Sequence, residues 1–333
     1  MLPTVTIDKS KVPIIWLDTS LIINITKYYQ EMKLSNEQFI LAELLYNQIR
    51  NKTKGGKIIC PTANQHEEIW VCRKECLSVM HQLSLGIQID SELNIQSKLF
   101  EIFAHGFLNH EENIHINYSV LFPEDPVEEL RSILEQPFFV AINPPLIGGI
   151  KKTKEIKQML LEGLNQIRET NVTDKVSFND QKELEYMAEY NNIINSIKQS
   201  TEACISKHDN NNDMWNLLNC ADILIDWKCA VLKNKNNTYS LLDFYKSNYY
   251  RQIPSKKISV NFFAKLMTDK QPIRSGDLKD IEHISLTFPF VDLFITDKQR
   301  KTQILRHGYD KEYNTKVCYA GDIDIIKSFF ADC

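Results

Sequence analysis

The sequence has no apolar run approaching the roughly 18 residues that suggest a membrane span. Its Pro13-Ile-Ile-Trp-Leu17 stretch is too short for the hydrophobic region of an export signal. Both absences read as a cytoplasmic protein with no membrane partner. A cysteine framework is missing too: the eight cysteines are scattered, and without an export signal they are most simply reduced and buried. Cys72 and Cys76 lie near His66, but no second ligand pair follows at finger-like spacing, which disfavours structural zinc. Excess positive charge is lacking: the net charge is −4 and the pI about 6.1. A chain that coats duplex nucleic acid by charge alone is strongly basic, so that mode is excluded. Local binding through a metal bridge and a small basic patch stays open. There is no Gly-x-x-x-x-Gly-Lys loop, no Gly-x-Gly-x-x-Gly fingerprint and no Gly-x-Ser-x-Gly elbow, and His66-Glu67 lacks the second histidine of a zincin. No internal repeat is visible.

What is present is a soluble globular composition, 43% hydrophobic and 25% charged, in a chain long enough for one large domain or two ordinary ones. The front alternates strand and helix. Pro13–Leu17 is a short continuous apolar run, as a buried parallel strand should be. Ser35-Asn-Glu-Gln38 has capping-box spacing, and a periodic helix follows through Phe39, Leu41, Leu44, Leu45 and Ile49 until Gly55-Gly56. Lys57-Ile-Ile-Cys60 reads as a second strand, and another helix starts near Thr62 or Asn64. The end of the chain alternates in the same way. It runs as a helix over Gly276–Phe288, a strand over Val291–Thr296, a helix over Lys298–Arg306, a strand over Lys316–Tyr319 and a closing helix over Asp322–Phe330. Between them helical periodicity dominates, over Leu93–Phe107, Pro126–Leu134, Lys152–Ile167, Gln181–Ile205 and Met214–Leu232. Asn-rich breaks at Asp209–Asp213 and Asn234–Asn237 read as loops. The expected organisation is a split α/β core over 1–90 and 273–333, with a mostly helical insertion over 91–272.

The placement of the acids organises the functional reading. In an open parallel sheet the functional edge lies beyond the carboxyl ends of the strands. Asp18 directly follows the first strand and Asp297 directly follows Phe294-Ile-Thr296. Glu67 and Glu68 follow the second strand within a helical turn or two, and Asp280 lies on the helix leading into the later strand. Carboxylates that converge repel one another unless a cation neutralises them. Hard oxygen ligands suit Mg²⁺ or Mn²⁺, and such ions support phosphodiester hydrolysis.

Three segments carry a resemblance: Ile14-Ile-Trp-Leu-Asp-Thr-Ser-Leu-Ile22, Cys60-Pro-Thr-Ala-Asn-Gln-His-Glu-Glu-Ile69, and Asp280 through Asp297. They resemble, in order, the signature blocks of the PIN-domain nucleases. The resemblance implies a Rossmann-type α/β/α sandwich with a central parallel sheet. It also implies a metal-dependent endonuclease, usually acting on RNA, with Asp18, Glu68, Asp280 and Asp297 as catalytic metal ligands. Asp292, at the start of its strand, matches a frequently acidic position of less defined role. The helical insertion departs from the family's usual compactness. It is expected to shape substrate access, to mediate homo-oligomerisation or to receive a regulatory partner. By analogy, a nuclease with a large extra module suits a toxin-like or defence effector.

Each sharp reading has a plain counterpart. Thr19 and Ser20 serve a metal shell or a helix N-cap equally well. Asp277 is best explained by the positive end of its helix, and His283 by packing. Lys298, Arg300 and Lys301, followed by Arg306 and Lys311, form either a solvated helix face or a phosphate-binding patch beside the acids. Tyr245, Tyr249 and Tyr250 are better explained by helix packing than by base stacking. The expected partner is single-stranded RNA. The alternatives are a DNA nuclease of the flap-cleaving kind, a catalytically silent scaffold binding RNA or protein, and an interaction protein whose helical region does the work.

Overall fold

The computed structural model describes residues 2–63, 69, 74–136, 150–206, 223–234 and 238–333. The chain divides into two units. The sheet unit comprises Ile7–Glu92, Asn117–Glu155 and Leu286–Cys333, and the helical unit Met1–Thr6, Leu93–Ile116 and Ile156–Ser285. This division differs in three places from the one expected. Met1–Thr6 falls in the helical unit. Asn117–Glu155 belongs with the sheet, and the boundary near the carboxyl end falls after Ser285, which puts most of the helix carrying Asp280 in the helical unit.

The strands are β1 (Thr4–Asp8), β2 (Ile15–Leu17), β3 (Asn113–Asn117), β4 (Leu293–Ile295) and β5 (Lys316–Cys318). The helices up to the middle of the chain are α1 (Thr19–Tyr29), α2 (Asn36–Lys54), α3 (Leu77–Ser84), α4 (Glu92–Asn109), α5 (Pro126–Glu135), α6 (Ile150–Thr173) and α7 (Phe178–Ser206). After helical residues 223–233 come α8 (Leu241–Lys246), α9 (Asn248–Gln252), α10 (Pro254–Thr268), α11 (Ser275–Thr287), α12 (Lys298–His307), α13 (Tyr309–Glu312) and α14 (Ile323–Asp332). The protein is thus a mostly helical α/β protein, with two small sheets among the described residues. The broad central sheet expected from the sequence is represented by three parallel strands of three residues each, in the order β2-β4-β5. β1 and β3 form a separate two-stranded sheet. Their alternating sequences, Thr-Val-Thr-Ile-Asp and Asn-Ile-His-Ile-Asn, carry the two-residue period of a half-buried strand.

In the sheet unit, Ile15 pairs with Leu293 and Leu17 with Ile295, while Leu293 and Ile295 pair with Lys316 and Cys318. Side chains alternate across the pleat. Ile15, Leu17, Leu293, Ile295 and Cys318 join one core with residues of α1, α2, α3 and α14. On the other face Trp16 stacks on Phe294, which meets Phe288 edge-on. Burial on both faces explains why these strands read as continuous apolar runs. The ladder extends beyond the named strands. Ile15 N–H donates to Ile59 O and Ile59 N–H to Pro13 O, while Thr62 N–H donates to Ile87 O and Ile89 N–H to Thr62 O.

α2 starts on the expected capping box, Ser35 with Gln38, and stops at Gly55, followed by Gly56 with φ +67°, a conformation glycine adopts without strain. Ahead of β4 a polar knot ties the two ends of the sheet unit. Lys9 Nζ donates to Pro289 O at 3.0 Å, Val291 O at 2.6 Å and Thr315 Oγ1 at 2.9 Å. Burial draws the Lys9 pKa down to about 8, and the charge of Asp292 opposes that fall.

The helical unit has an aromatic core. Tyr245, Tyr249 and Tyr250 are buried in it, with the Tyr245 and Tyr250 rings 4.4 Å apart, and Phe100 and Phe107 pack on Phe244. These tyrosines serve packing and are not available to stack bases. No helix among the described residues is long and apolar enough to cross a membrane.

Candidate metal centre at the carboxyl edge of the sheet

The backbone ladder runs one residue past each strand and fixes where the acids stand. Asp18 N–H donates to Ile295 O at 2.9 Å, and Thr296 N–H donates to Cys318 O at 2.9 Å. Asp18 then caps α1: its backbone is extended, and its Oδ1 accepts the Ser20 N–H at 2.8 Å. Its other oxygen, Oδ2, accepts the Thr296 hydroxyl at 3.4 Å. Asp297 does the same one strand over, capping α12 with Oδ1 on the Arg300 N–H at 2.8 Å. Two carboxylates and one hydroxyl therefore issue from the same edge of adjoining parallel strands, each carboxylate held by a helix N–H. Asp18 is half-buried and Asp297 exposed.

A third carboxylate on this edge was not singled out from sequence. Asp322, four residues beyond β5, accepts the Tyr319 N–H at 2.8 Å and the Lys301 ammonium at 2.6 Å. The cue for it was the acidic start of the closing helix; its partner, 21 positions earlier, carried no local signal. Lys301 and Lys298 both stand over the Tyr319 ring, at 5.3 and 5.9 Å from its centroid. Of the three basic residues expected to meet phosphate, Lys298 is exposed and Lys301 is ion-paired with Asp322. Arg300 is only 3% exposed and donates to Gln303 Oε1. The run of basic residues is thus not a single face.

Asp292 does not join this group. It sits at the amino end of β4, where its Oδ2 accepts the Ile14 N–H at 2.7 Å. Burial pushes its carboxyl above the ordinary range, opposed by that hydrogen bond and by Lys9. It is a structural tie at the opposite end of the strand from Asp297. Asp280 lies half-buried on α11, in the helical unit. Asp277 accepts the Arg274 N–H at the start of the same helix, which is a helix-end role. Glu68, Cys72 and most of the helix expected near Asn64 lie outside the described residues. So do Pro144-Pro145 and the first part of the helix expected over Met214–Leu232.

The donor chemistry of Asp18, Thr296 and Asp297 suits a hard cation such as Mg²⁺ or Mn²⁺. Among the described residues, however, no group of three or more His, Cys, Asp or Glu side chains is gathered that could hold an ion. Compared with known proteins, the chain matches no family model, no curated protein and no solved structure.

Proposed function

We propose that the chain is a metal-dependent endonuclease of the PIN-like type, built on a Rossmann-type α/β/α core, which hydrolyses phosphodiester bonds in single-stranded RNA. One observation carries this reading. The hydrogen-bonded order of parallel segments is 87–89, 59–62, 15–17, 293–295, 316–318. From β2 the chain builds outward on one side, then returns to build on the other. Ligands of open α/β sheets bind at the carboxyl ends where this reversal occurs, and Asp18 and Asp297 flank that point.

A bound Mg²⁺ or Mn²⁺ would supply an activated water and charge stabilisation at the scissile phosphate. Asp18 and Asp297 would hold the ion through side-chain oxygens. The Ser20 and Arg300 N–H groups fix the carboxylate orientations, and the Thr296 hydroxyl orients Asp18 Oδ2, a supporting role that commonly matters to affinity. The resemblance names Glu68 and Asp280 as the further acids. Lys298 is the exposed cation nearest in sequence to Asp297 and supports phosphate approach.

The test uses the full chain on labelled single-stranded RNA and matched single-stranded DNA. Chelator should abolish cleavage and Mn²⁺ restore it at least as well as Mg²⁺. Asp18→Asn and Asp297→Asn should each cost at least about a hundredfold, more than the loss of a supporting residue. The melting temperature should be kept, because the asparagine oxygen still accepts the helix N–H. Glu68→Gln and Asp280→Asn examine the other two acids in the same assay. Cleavage that ignores chelator and both strand-end variants, with Mn²⁺ isotherms unchanged, would overturn the reading. That result would favour the silent scaffold, which the absence of a three-acid cluster among the described residues and the burial of Arg300 already make the second reading. Preference for the DNA strand would move the assignment to the flap-cleaving kind.

A further inference from the structure

Two cavities among the described residues of the helical unit, of about 320 and about 460 Å³, share Gln96, Glu189, Ile223 and Lys256 as lining. Their volumes fall at the lower end of those that hold small molecules. The Glu189–Lys256 ion pair, at 2.6 Å, belongs to both walls and is internally satisfied. Burial alone would raise Glu189, yet the charge of Lys256, with hydrogen bonds from Lys256, Tyr250 and Tyr245, holds its carboxyl below the ordinary range.

Two groups in the smaller cavity have no such balance. Asp226, in the helical stretch 223–233, has one hydrogen bond among the described residues, from Ser97 Oγ at 2.5 Å. With Glu189 and Lys256 cancelling, it leaves the cavity one formal negative charge. Ser255 is only 3% exposed, and its hydroxyl has no hydrogen-bond partner among the described residues. It occupies the first turn of α10 just after Pro254. A buried orphan hydroxyl is unfavourable and calls for a partner. Phe100, Ile225 and Ile253 supply apolar wall.

We propose that the smaller cavity is a binding site for a small organic cation, a primary amine on an apolar body. The ammonium donates to Asp226 and to the Ser255 hydroxyl, and the body lies against Phe100, Ile225 and Ile253. An ammonium brings three donors and no acceptor, which suits one carboxylate and one orphan hydroxyl. The assignment is independent of the nuclease reading.

The probe is tryptamine, titrated calorimetrically and by thermal shift into the full chain. Indole-3-propionate, with the same body and the opposite charge, is the control. Tryptamine should bind saturably and raise the melting temperature, with the control about tenfold weaker or worse. Asp226→Asn should weaken tryptamine by about tenfold or more, because a charge-assisted bond is lost. Ser255→Ala should weaken it severalfold while leaving the unliganded melting temperature equal or higher, since it removes the orphan hydroxyl. No saturable binding of tryptamine overturns the proposal and leaves the cavity to solvent. Equal affinity for both probes, or unchanged binding in Asp226→Asn, overturns it in favour of an unselective apolar hole.

Discussion

Replacing Lys9 with methionine removes the knot ahead of β4 while keeping most of the aliphatic stem. The ammonium makes three hydrogen bonds, to Pro289 O, Val291 O and Thr315 Oγ1, and bonds to charged groups contribute about 1.5–3 kcal/mol each. Thr315 also donates to Val291 O, so the carbonyl that most needs Lys9 is that of Pro289. Against these bonds stands the burial of the charge, which takes the pKa from 10.5 to about 8, a cost of about 3 kcal/mol. The net loss at neutral pH should be about 2 kcal/mol. The sign with pH is the sharper test. Between about 8 and 10.5 the unfolded chain keeps the Lys9 proton and the folded chain does not, so wild-type stability from this group rises with pH. The methionine variant has no such term, and the gap should widen by about 2 kcal/mol between pH 7 and pH 9.5. Urea unfolding can be followed by far-ultraviolet circular dichroism. A gap that narrows with rising pH, or a neutral-pH loss under about 0.5 kcal/mol, would refute this account of the knot.

Asp292→Asn should act in the opposite pH direction. Burial raises the folded carboxyl above its ordinary 3.8, so the folded state holds more protons there. Wild type should therefore lose stability relative to the variant as pH climbs from about 4 through the folded value, with no further divergence above it. Acid unfolding of the two proteins side by side measures this, and a gap that moves the other way would contradict it. Ser35→Ala should cost about 1 kcal/mol by removing the hydroxyl that accepts the Gln38 N–H, read as a lower melting temperature.

The parts legible in the sequence were those written in local chemistry. The capping box at Ser35, the apolar runs at Ile15–Leu17 and Leu293–Ile295, and the acids directly after them need only neighbouring residues to be recognised. The strand expected over Val291–Thr296 is shorter in the structure because Val291 O is taken by Lys9 and Thr315, and Asp292 Oδ2 by the Ile14 N–H. Both are contacts from distant sequence. Likewise Lys298, Arg300 and Lys301 look equivalent in a row. At about 100° per residue a helix turns Arg300 toward the core with Ile304, while Lys298 and Lys301 share a face over Tyr319. Strands β1 and β3 carried a two-residue alternation, but each is only five residues long and gives a weak periodic signal against long helical stretches. Asp322 was hidden because its partner Lys301 is brought close only by the fold.

The Thr296–Asp18 contact joins residues 278 positions apart, and the same span separates β2 from β4, its immediate neighbour. Synthesis at about 5–20 residues per second puts roughly 15–55 s between the emergence of one strand and the other. Throughout that interval the nascent chain displays β2 with its parallel partner missing, an unpaired apolar edge that invites chaperone binding. The acids at the ends of these strands cannot share an edge until residue 297 has been synthesised. A product terminated before residue 293 therefore carries Asp18 on an edge that lacks both β4 and Asp297.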